Sequence, residues 1–428
     1  MGPSKSLAVY AVVAVLLWSL GGVAAEGARV VINELHTNPD VKTELVEFVE
    51  LYNPGPDAVD LSGWSLSEGV FYTFGAGTVL PADGYIVVAQ DLDHLFAKWS
   101  TLRLNLPGRA AVGPFGGKLS NDGERVTLCD ADGNVVDSVT YKLGFPWPTV
   151  GDPVPAGQRG SGHSLQLVHP DLDNDLGGSW RSAYPTPGLP NTNVFADRVP
   201  PYIRQVKHAP SQPTSGRPVT ITAKITDADG LATVQLMYQL VDPGDYISIG
   251  DVRYRNEWTF VDMRDDGLEG DATAGDDVYT VVLPAELQTH RRLVRYKIVA
   301  IAPTGSLRTA PYDDDPQPNF AYFAYNGVPA WRGAIRPGSG GTTGQVVAYS
   351  PQVLTSLPVY HLIADRQDVA DALYMPGAKK GQYGGSDYPW PGTLVYDGVV
   401  CDHIRFRARG GVWRYAMGKN MWKFDFDR

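Results

Sequence analysis

Leu119-Ser120-Asn121-Asp122-Gly123-Glu124-Arg125-Val126-Thr127-Leu128 runs through Cys129 into Asp130-Ala131-Asp132-Gly133-Asn134 and then Val135-Val136-Asp137-Ser138-Val139-Thr140-Tyr141, and on this stretch the fold class turns. Two Asn/Asp/Gly clusters punctuate short runs rich in apolar and β-branched residues. Aspartate and asparagine tolerate positive φ and close their own turns, and glycine has no Cβ penalty, so the clusters predict hairpins. The same grammar continues upstream in Val30-Val31-Ile32-Asn33-Glu34-Leu35 and in Glu44 to Tyr52, which Asn53-Pro54-Gly55 closes. Leu61-Ser62-Gly63-Trp64-Ser65-Leu66 and Tyr85-Ile86-Val87-Val88-Ala89 add two further strands. Repeated short strands at this spacing predict a β-sandwich over residues 28–192.

The rest of the chain fits a β-rich reading. Its 428 residues correspond to about three domains at ~150 residues each. The 47 glycines and 33 prolines far exceed ordinary usage, which suits turns and short strands better than long helices. Hydrophobic residues at 43% are too many for a largely disordered chain. The formal net charge of −11 lacks the basic field of a nucleic-acid binder, so no nucleic-acid partner is expected. Cys129 and Cys401 are the only cysteines, so neither a disulfide framework nor a cysteine-rich zinc site is expected. The eight histidines are scattered, and neither His-Glu-x-x-His nor Gly-x-Ser-x-Gly occurs, which leaves a hydrolase reading without support.

At the N-terminus Lys5 precedes an almost unbroken apolar run from Leu7 to Leu20, and Val23-Ala24-Ala25 offers a small-residue exit. This is the pattern of a secretory signal peptide over residues 1–25, cleaved after Ala25. The run is shorter than the ~20 apolar residues of a membrane span. The expected mature protein is soluble, has no membrane segment, and is secreted or held at a bacterial cell surface or in the periplasm.

Several motifs between residues 28 and 192 resemble the lamin tail domain. They are Val31-Ile32-Asn33-Glu34-Leu35, Glu47 to Gly55, Val59-Asp60-Leu61-Ser62-Gly63-Trp64-Ser65-Leu66, Leu119-Ser120-Asn121-Asp122-Gly123, Ser179-Trp180-Arg181 and Thr186-Pro187-Gly188-Leu189-Pro190-Asn191. The resemblance implies an immunoglobulin-like sandwich that serves as an accessory module. Three acidic features invite a chemical reading. Asp130–Asn134 resembles the start of a calcium loop, but position twelve is Tyr141, so a hairpin turn is expected. Asp171-Leu172-Asp173-Asn174-Asp175 reads as a solvated acidic loop. Glu34, Glu47 and Glu50 lie in strand-like runs; alternation turns at least one inward, where hydrogen bonding to neighbouring backbone accounts for it better than acid–base catalysis.

Arg198-Val199-Pro200-Pro201 is a stiff linker into a second module, residues 198–328. Val219-Thr220-Ile221-Thr222-Ala223-Lys224-Ile225 alternates as a half-buried strand does, and the segment resembles an immunoglobulin or fibronectin-III module. Its loop from Asp262 to Asp277 is dense in carboxylates. Asp262, Asp265, Asp266, Asp271 and Asp276 are candidate calcium ligands, although no fixed ligand spacing is met.

Residues 329–353, with Arg336-Pro337-Gly338-Ser339-Gly340-Gly341-Thr342-Thr343-Gly344 at their centre, read as a flexible linker. In residues 354–428, Pro358 to Ile363 reads as a strand, Asp365 as the cap of a helix through Leu373, and Thr393 to Val400 as a hairpin around Asp397-Gly398. Arg405, Arg407, Arg409, Arg414, Lys419, Lys423 and Arg428 form a basic cluster in an acidic protein. Alternation also accounts for them as the wet face of strands, with Trp422, Phe424 and Phe426 turned the other way. The order of elements, with Arg407-Ala408-Arg409-Gly410 followed by Lys419-Asn420-Met421-Trp422-Lys423, resembles the start of the spore-coat CotH family of atypical protein kinases. Gly411, Val412 and Trp413 stand where that family carries small hydroxyl residues. The resemblance implies Mg-ATP binding through Arg407, Arg409, Lys419 and Lys423, and phosphorylation of a surface protein, with the catalytic carboxylates beyond residue 428.

The expected architecture is therefore mainly β: two immunoglobulin-like sandwiches in tandem, then an incomplete α+β kinase-like N-terminal lobe. Because Asp425-Phe426-Asp427-Arg428 supplies no closing segment, a truncated and inactive product is expected. The alternative is a non-catalytic surface or matrix protein whose sandwiches bind a protein partner, with or without calcium.

Overall fold

Hairpin turns dominate the computed structural model, which describes residues 29–41, 43–104, 109–148, 162–192, 194–196, 198–313, 315, 317–335, 345–373, 389–409 and 421–426. The signal segment with its Ala25 exit lies outside the described residues. No helix among the described residues is long and apolar enough to cross a membrane.

The first module is a two-sheet sandwich. One sheet runs, in spatial order, Trp180–Ala183, Ser164–Leu167, Val31–His36, Phe48–Tyr52, Tyr85–Ala89 and Arg109–Val112, and only the last pair is parallel. The other runs Val135–Tyr141, Glu124–Cys129, Ser65–Glu68, Val70–Thr73 and Gly116–Gly117. Ile32, Leu35, Val49 and Leu51 meet Leu66, Val126, Leu128 and Val139 between the sheets, with Trp64, Trp147 and Trp180 filling the ends. Period-two alternation sends Phe48 and Val87 to the opposite face, where Leu95 of the helix Leu92–Lys98 and Leu102 cover them. This sheet is therefore buried on both sides. The expected Leu61–Leu66 strand divides into Val59–Asp60 and Ser65–Glu68, because the Asp60 carboxylate accepts the Ser62 N–H (2.9 Å) and Gly63 turns with φ +76°.

The second module pairs a sheet of Tyr202–Ala209, Val219–Thr226 and Val278–Leu283 with one ordered Thr259–Asp262, Thr233–Val241 and Leu293–Ile301. Leu307–Ala310 and Phe320–Phe323 both line the free edge of Leu293–Ile301. A three-stranded sheet packed on this five-stranded one makes an immunoglobulin-like sandwich. Val219, Ile221, Ala223 and Ile225 enter its core and the residues between them do not, as alternation predicts.

The third module is a four-stranded antiparallel sheet ordered Tyr360–Ile363, Trp390–Tyr396, Val399–Arg409 and Met421–Asp425. The helix Arg366–Leu373 contributes Val369 and Ala372 to a small core with Ala364, Trp390, Phe406, Trp422 and Phe424. Asp397 (φ 48°) and Gly398 (φ 77°) form the expected two-residue turn. Four strands and a helix do not identify a kinase lobe, since a fold element alone names no chemistry. Of the stretch 329–353, expected as a flexible linker, the described residues include a strand pair: Trp331–Ile335 pairs with Gln345–Tyr349, and Trp331 stacks on Tyr349 with ring centroids 5.9 Å apart.

Candidate functional site

Two carboxylates face each other on the outer side of the first sheet. Glu34 and Glu50 are register partners on neighbouring strands, both fully buried, because the segment 184–192 folds back over them. Glu34 accepts hydrogen bonds from Ser164 Oγ (2.5 Å), Thr186 N–H (3.0 Å) and Thr186 Oγ1 (3.1 Å). Glu50 accepts from Asn33 Nδ2 (2.8 Å) and the Gly188 N–H (2.5 Å). Asn191 Nδ2 donates to the Asn33 and Leu167 carbonyls. Burial raises Glu34 to about 7 against those bonds, and raises Glu50 as well, with the Glu34 charge adding to the effect. Glu47 is also buried and accepts the Leu119 N–H at 2.9 Å. Glu34 and Glu50 are buried beneath the folded-back segment and Glu47 is buried as well, and each accepts a backbone N–H; the sequence reading expected at least one of them inward.

The acidic loops also close on themselves. Asp130 accepts N–H groups from Asp132 and Asn134 (3.0 and 2.8 Å), the expected hairpin turn. In Asp171–Asp175, Asp171 pairs with Arg29 and Asp175 accepts the Thr140 N–H, so the loop clips the sandwich together. Of the five calcium candidates the structure gathers three: one oxygen each from Asp265, Asp271 and Asp276 lie within 4.8 Å of one another. Asp265 accepts the N–H groups of Gly275 (2.8 Å) and Asp277 (2.9 Å), while Asp271 accepts from Gly267 (2.7 Å) and Thr280 Oγ1 (3.2 Å). Asp262 and Asp266 lie apart from the group, bonded to Gln235 Nε2 and to the Leu268 N–H.

In the third module Arg407 stands directly opposite Lys423 across the strand pair, and Arg405 opposite Asp425. Phe406 and Ala408 face the core between them, so the cations occupy the other face of the sheet. Lys419, and the side chain of Arg409, lie outside the described residues. The structure thus brings two of the four nucleotide candidates together on one face.

One buried charge pair among the described residues lies outside every motif the sequence offers. Arg295 and Asp402, both fully buried, join the second module to the third through two contacts: Nε to Oδ2 (2.7 Å) and Nη2 to Oδ1 (3.1 Å). Arg295 Nη1 also donates to Gln239 Oε1 (3.0 Å) and the Ile247 carbonyl (2.8 Å). Asp402 receives Tyr246 Oη (3.1 Å), Thr393 Oγ1 (2.5 Å) and Asn319 Nδ2 (3.0 Å). Burial alone would raise the Asp402 carboxyl, but the charges of Arg295 and His403 and these bonds hold it well below the usual carboxylate range. Around the pair, Val241, Tyr246, Ile247, Tyr254, Leu293 and Phe323 pack on Ile363 and Val395. The signal available in the sequence was an ionisable residue inside each of two apolar strands, Leu293-Val294-Arg295-Tyr296 and Val400-Cys401-Asp402-His403-Ile404. The first and second modules also touch: the Arg181 guanidinium lies 3.8 Å from the Tyr312 ring centroid, and Tyr312 Oη donates to the Pro146 carbonyl at 3.0 Å.

No curated protein matches the chain. Among solved structures, a "Novel Broadly Conserved Escherichia coli Adhesin", FdeC, aligns at 9% identity over 92% of this chain and 95% of its own, with a TM-score of 0.18. The N-terminal eight Ig domains of Down Syndrome Cell Adhesion Molecule align at 10% identity over 92% of this chain and 48% of theirs, also with a TM-score of 0.18. Overlaps that low carry no argument about fold or function. The family model of the Lamin Tail Domain matches residues 24–143, a little over a quarter of the chain. That segment contains Glu34, Glu47 and Glu50, whereas the strands Ser164–Leu167 and Trp180–Ala183 and the closing segment 186–191 lie beyond the match.

Proposed function

We propose that this chain is a non-catalytic binding or structural protein of a bacterial cell surface or matrix, whose β modules form a stiff array that presents its faces to a protein partner. The observation that carries this reading is the Arg295–Asp402 clasp, which joins the second module to the third through a buried, hydrogen-bonded charge pair. Glu34 and Glu50, raised by burial, and Asp402, held low by the Arg295 charge, are engaged with loops and neighbouring modules. Catalytic carboxylates instead face an open cleft, where such shifts serve proton transfer. The test is addition of labelled protein to cells of the producing bacterium. Saturable binding abolished by protease treatment of the cells is expected; binding that ignores the treatment overturns the reading.

A second reading, the front part of a CotH-like kinase, is favoured by one observation: Arg407 faces Lys423 across a strand pair, a spacing that suits a polyphosphate. Phosphoryl transfer also needs carboxylates that hold the metal, which this reading places beyond residue 428. Isothermal titration with Mg-ATP separates the two readings. Binding weakened by Lys423→Ala favours the kinase, and absence of binding leaves the array.

A further inference from the structure

A cleft of about 540 Å³ opens at the seam between the second and third modules. Four segments build it: Pro243-Gly244, the turn at Arg291, the strand Tyr360–Ile363, and the first turns of the helix Arg366–Leu373. Its floor is apolar, formed by Phe323, Ile363 and Val369. Its volume lies within the ~300–1,000 Å³ range of small-molecule sites.

The charge of this cleft runs against that of the molecule. The chain carries a net charge of −11, yet the lining includes Arg291, Arg366 and His361 and no carboxylate. Two of the nearby acids are paired with arginines, and three more, Asp365, Asp368 and Asp371, lie on or just before the helix Arg366–Leu373, where burial and the Asp365 and Asp371 charges raise the Asp368 carboxyl to about 6. Asp242 pairs with Arg292 (2.8 Å), Asp245 with Arg253 (3.0 Å), and Asp365 accepts the Gln367 N–H (2.7 Å). Neither Arg291 nor Arg366 takes part in an ion pair among the described residues.

Both arginines are held by their backbones. The Arg291 N–H donates to the Ala324 carbonyl at 2.7 Å, and the Arg366 N–H to the Gly244 carbonyl at 3.2 Å. The Arg366 guanidinium lies against Gly244, where an added Cβ would stand 3.5 Å from its Nε. His361 sits in an aromatic wall, 5.2 Å from Phe323 and 4.3 Å from Tyr325 between ring centroids. Burial and the Arg291 charge lower its pKa, which favours a neutral imidazole able to donate or accept one hydrogen bond.

We infer that this cleft binds a small organic carboxylate with an apolar, ring-sized body, its carboxylate held by Arg291 and Arg366 and its body resting on Phe323, Ile363 and Val369. Guanidinium forks match a carboxylate in geometry and charge, and the apolar floor removes the body from water. A neutral analogue lacks the first of these interactions and a short inorganic anion lacks the second.

The test uses the full chain and 4-phenylbutyrate as probe, followed by isothermal titration and by ligand-observed NMR. The expected result is saturable binding that is at least about tenfold tighter than that of uncharged 4-phenyl-1-butanol, and at least about tenfold weaker in R291Q/R366Q. Because a double change near a module seam can disturb folding, Ala370→Glu is the second variant. It adds a carboxylate to the cleft from a half-buried helical position and abolishes binding of the acid while the thermal midpoint stays in place. Equal affinity for acid and alcohol, unchanged affinity in both variants, or no saturable binding up to about 10 mM overturns the inference.

Discussion

Two glycines in neighbouring turns show how differently one residue type constrains this fold. Gly123 closes Leu119-Ser120-Asn121-Asp122-Gly123 at φ +103°, and a Cβ there would stand 2.5 Å from the Tyr141 carbonyl oxygen. The approach is that close because Tyr141 Oη lies within hydrogen-bond distance of Glu124 Oε1 (2.9 Å) and the Ser120 carbonyl (2.8 Å), which share its one proton and draw the partner strand over the turn. Gly133, at φ +84° in the next hairpin, has nothing within 4 Å of the same position. Gly123→Ala therefore meets a backbone clash as well as a disfavoured φ and costs about 2–3 kcal/mol. Gly133→Ala meets only the φ penalty and costs about 1 kcal/mol. Urea unfolding of the two variants measures the difference, and equal losses would mean that the approach at Tyr141 does not constrain the turn.

At the scale of elements, the central strands of the first sandwich carry charge where a half-buried sheet would carry aliphatics. Alternation alone placed at least one of Glu34, Glu47 and Glu50 inward. It did not reveal that Glu34 and Glu50 are covered, because the cover is the segment Thr186–Asn191, more than 130 residues away in sequence. Hairpin turns were legible for the opposite reason, since Asp130–Asn134 and Asp397-Gly398 encode their geometry within a few residues. The buried pair has a consequence in pH. Glu34 is raised from 4.5 to about 7, so the native state binds a proton that the unfolded chain has already lost across that window. Its contribution to stability is fully present below about 4.5 and disappears as pH rises through about 7, a change on the order of 3 kcal/mol. Glu50 is raised too and acts in the same direction. Relative to the wild type, Glu34→Gln is expected to remove part of this decline, and E34Q/E50Q the whole of the pair's share. Denaturant midpoints at pH 4.5, 6 and 7.5 measure the slopes, and parallel curves for wild type and double variant would refute the assignment.

For the whole molecule, the decisive feature is that Leu293, Arg295 and Lys297, on the outer face of Leu293–Ile301, are buried. Lys297 is covered from within the second module by Tyr254 and Trp258, whereas Leu293 and Arg295 are met by the third, Leu293 by Ile363 and Val395 and the Arg295 guanidinium by Asp402. This contact spans 107 residues of sequence, and neither partner stands in a local motif, so no local reading of the sequence pairs them. Removing one member of such a pair leaves the other buried and uncompensated, at a cost of about 3–5 kcal/mol, whereas apolar replacement of both can be neutral or stabilising. Asp402→Ala is therefore expected to destabilise by that amount and R295M/D402L to recover most of the loss. The acid limb follows from the same pair. With the Asp402 carboxyl held below its ordinary value of 3.8, the contribution of the pair is present above that pH and is lost as pH falls further. Scanning calorimetry of the full chain distinguishes a clasp from a mere contact. The second and third modules should melt in one transition in the wild type, separate into two in Asp402→Ala, and rejoin in R295M/D402L. Coincident melting in Asp402→Ala, with stability within about 0.5 kcal/mol of the wild type, would show that the two modules are held together by the surrounding apolar seam of Tyr246, Phe323, Ile363 and Val395 rather than by the charge pair.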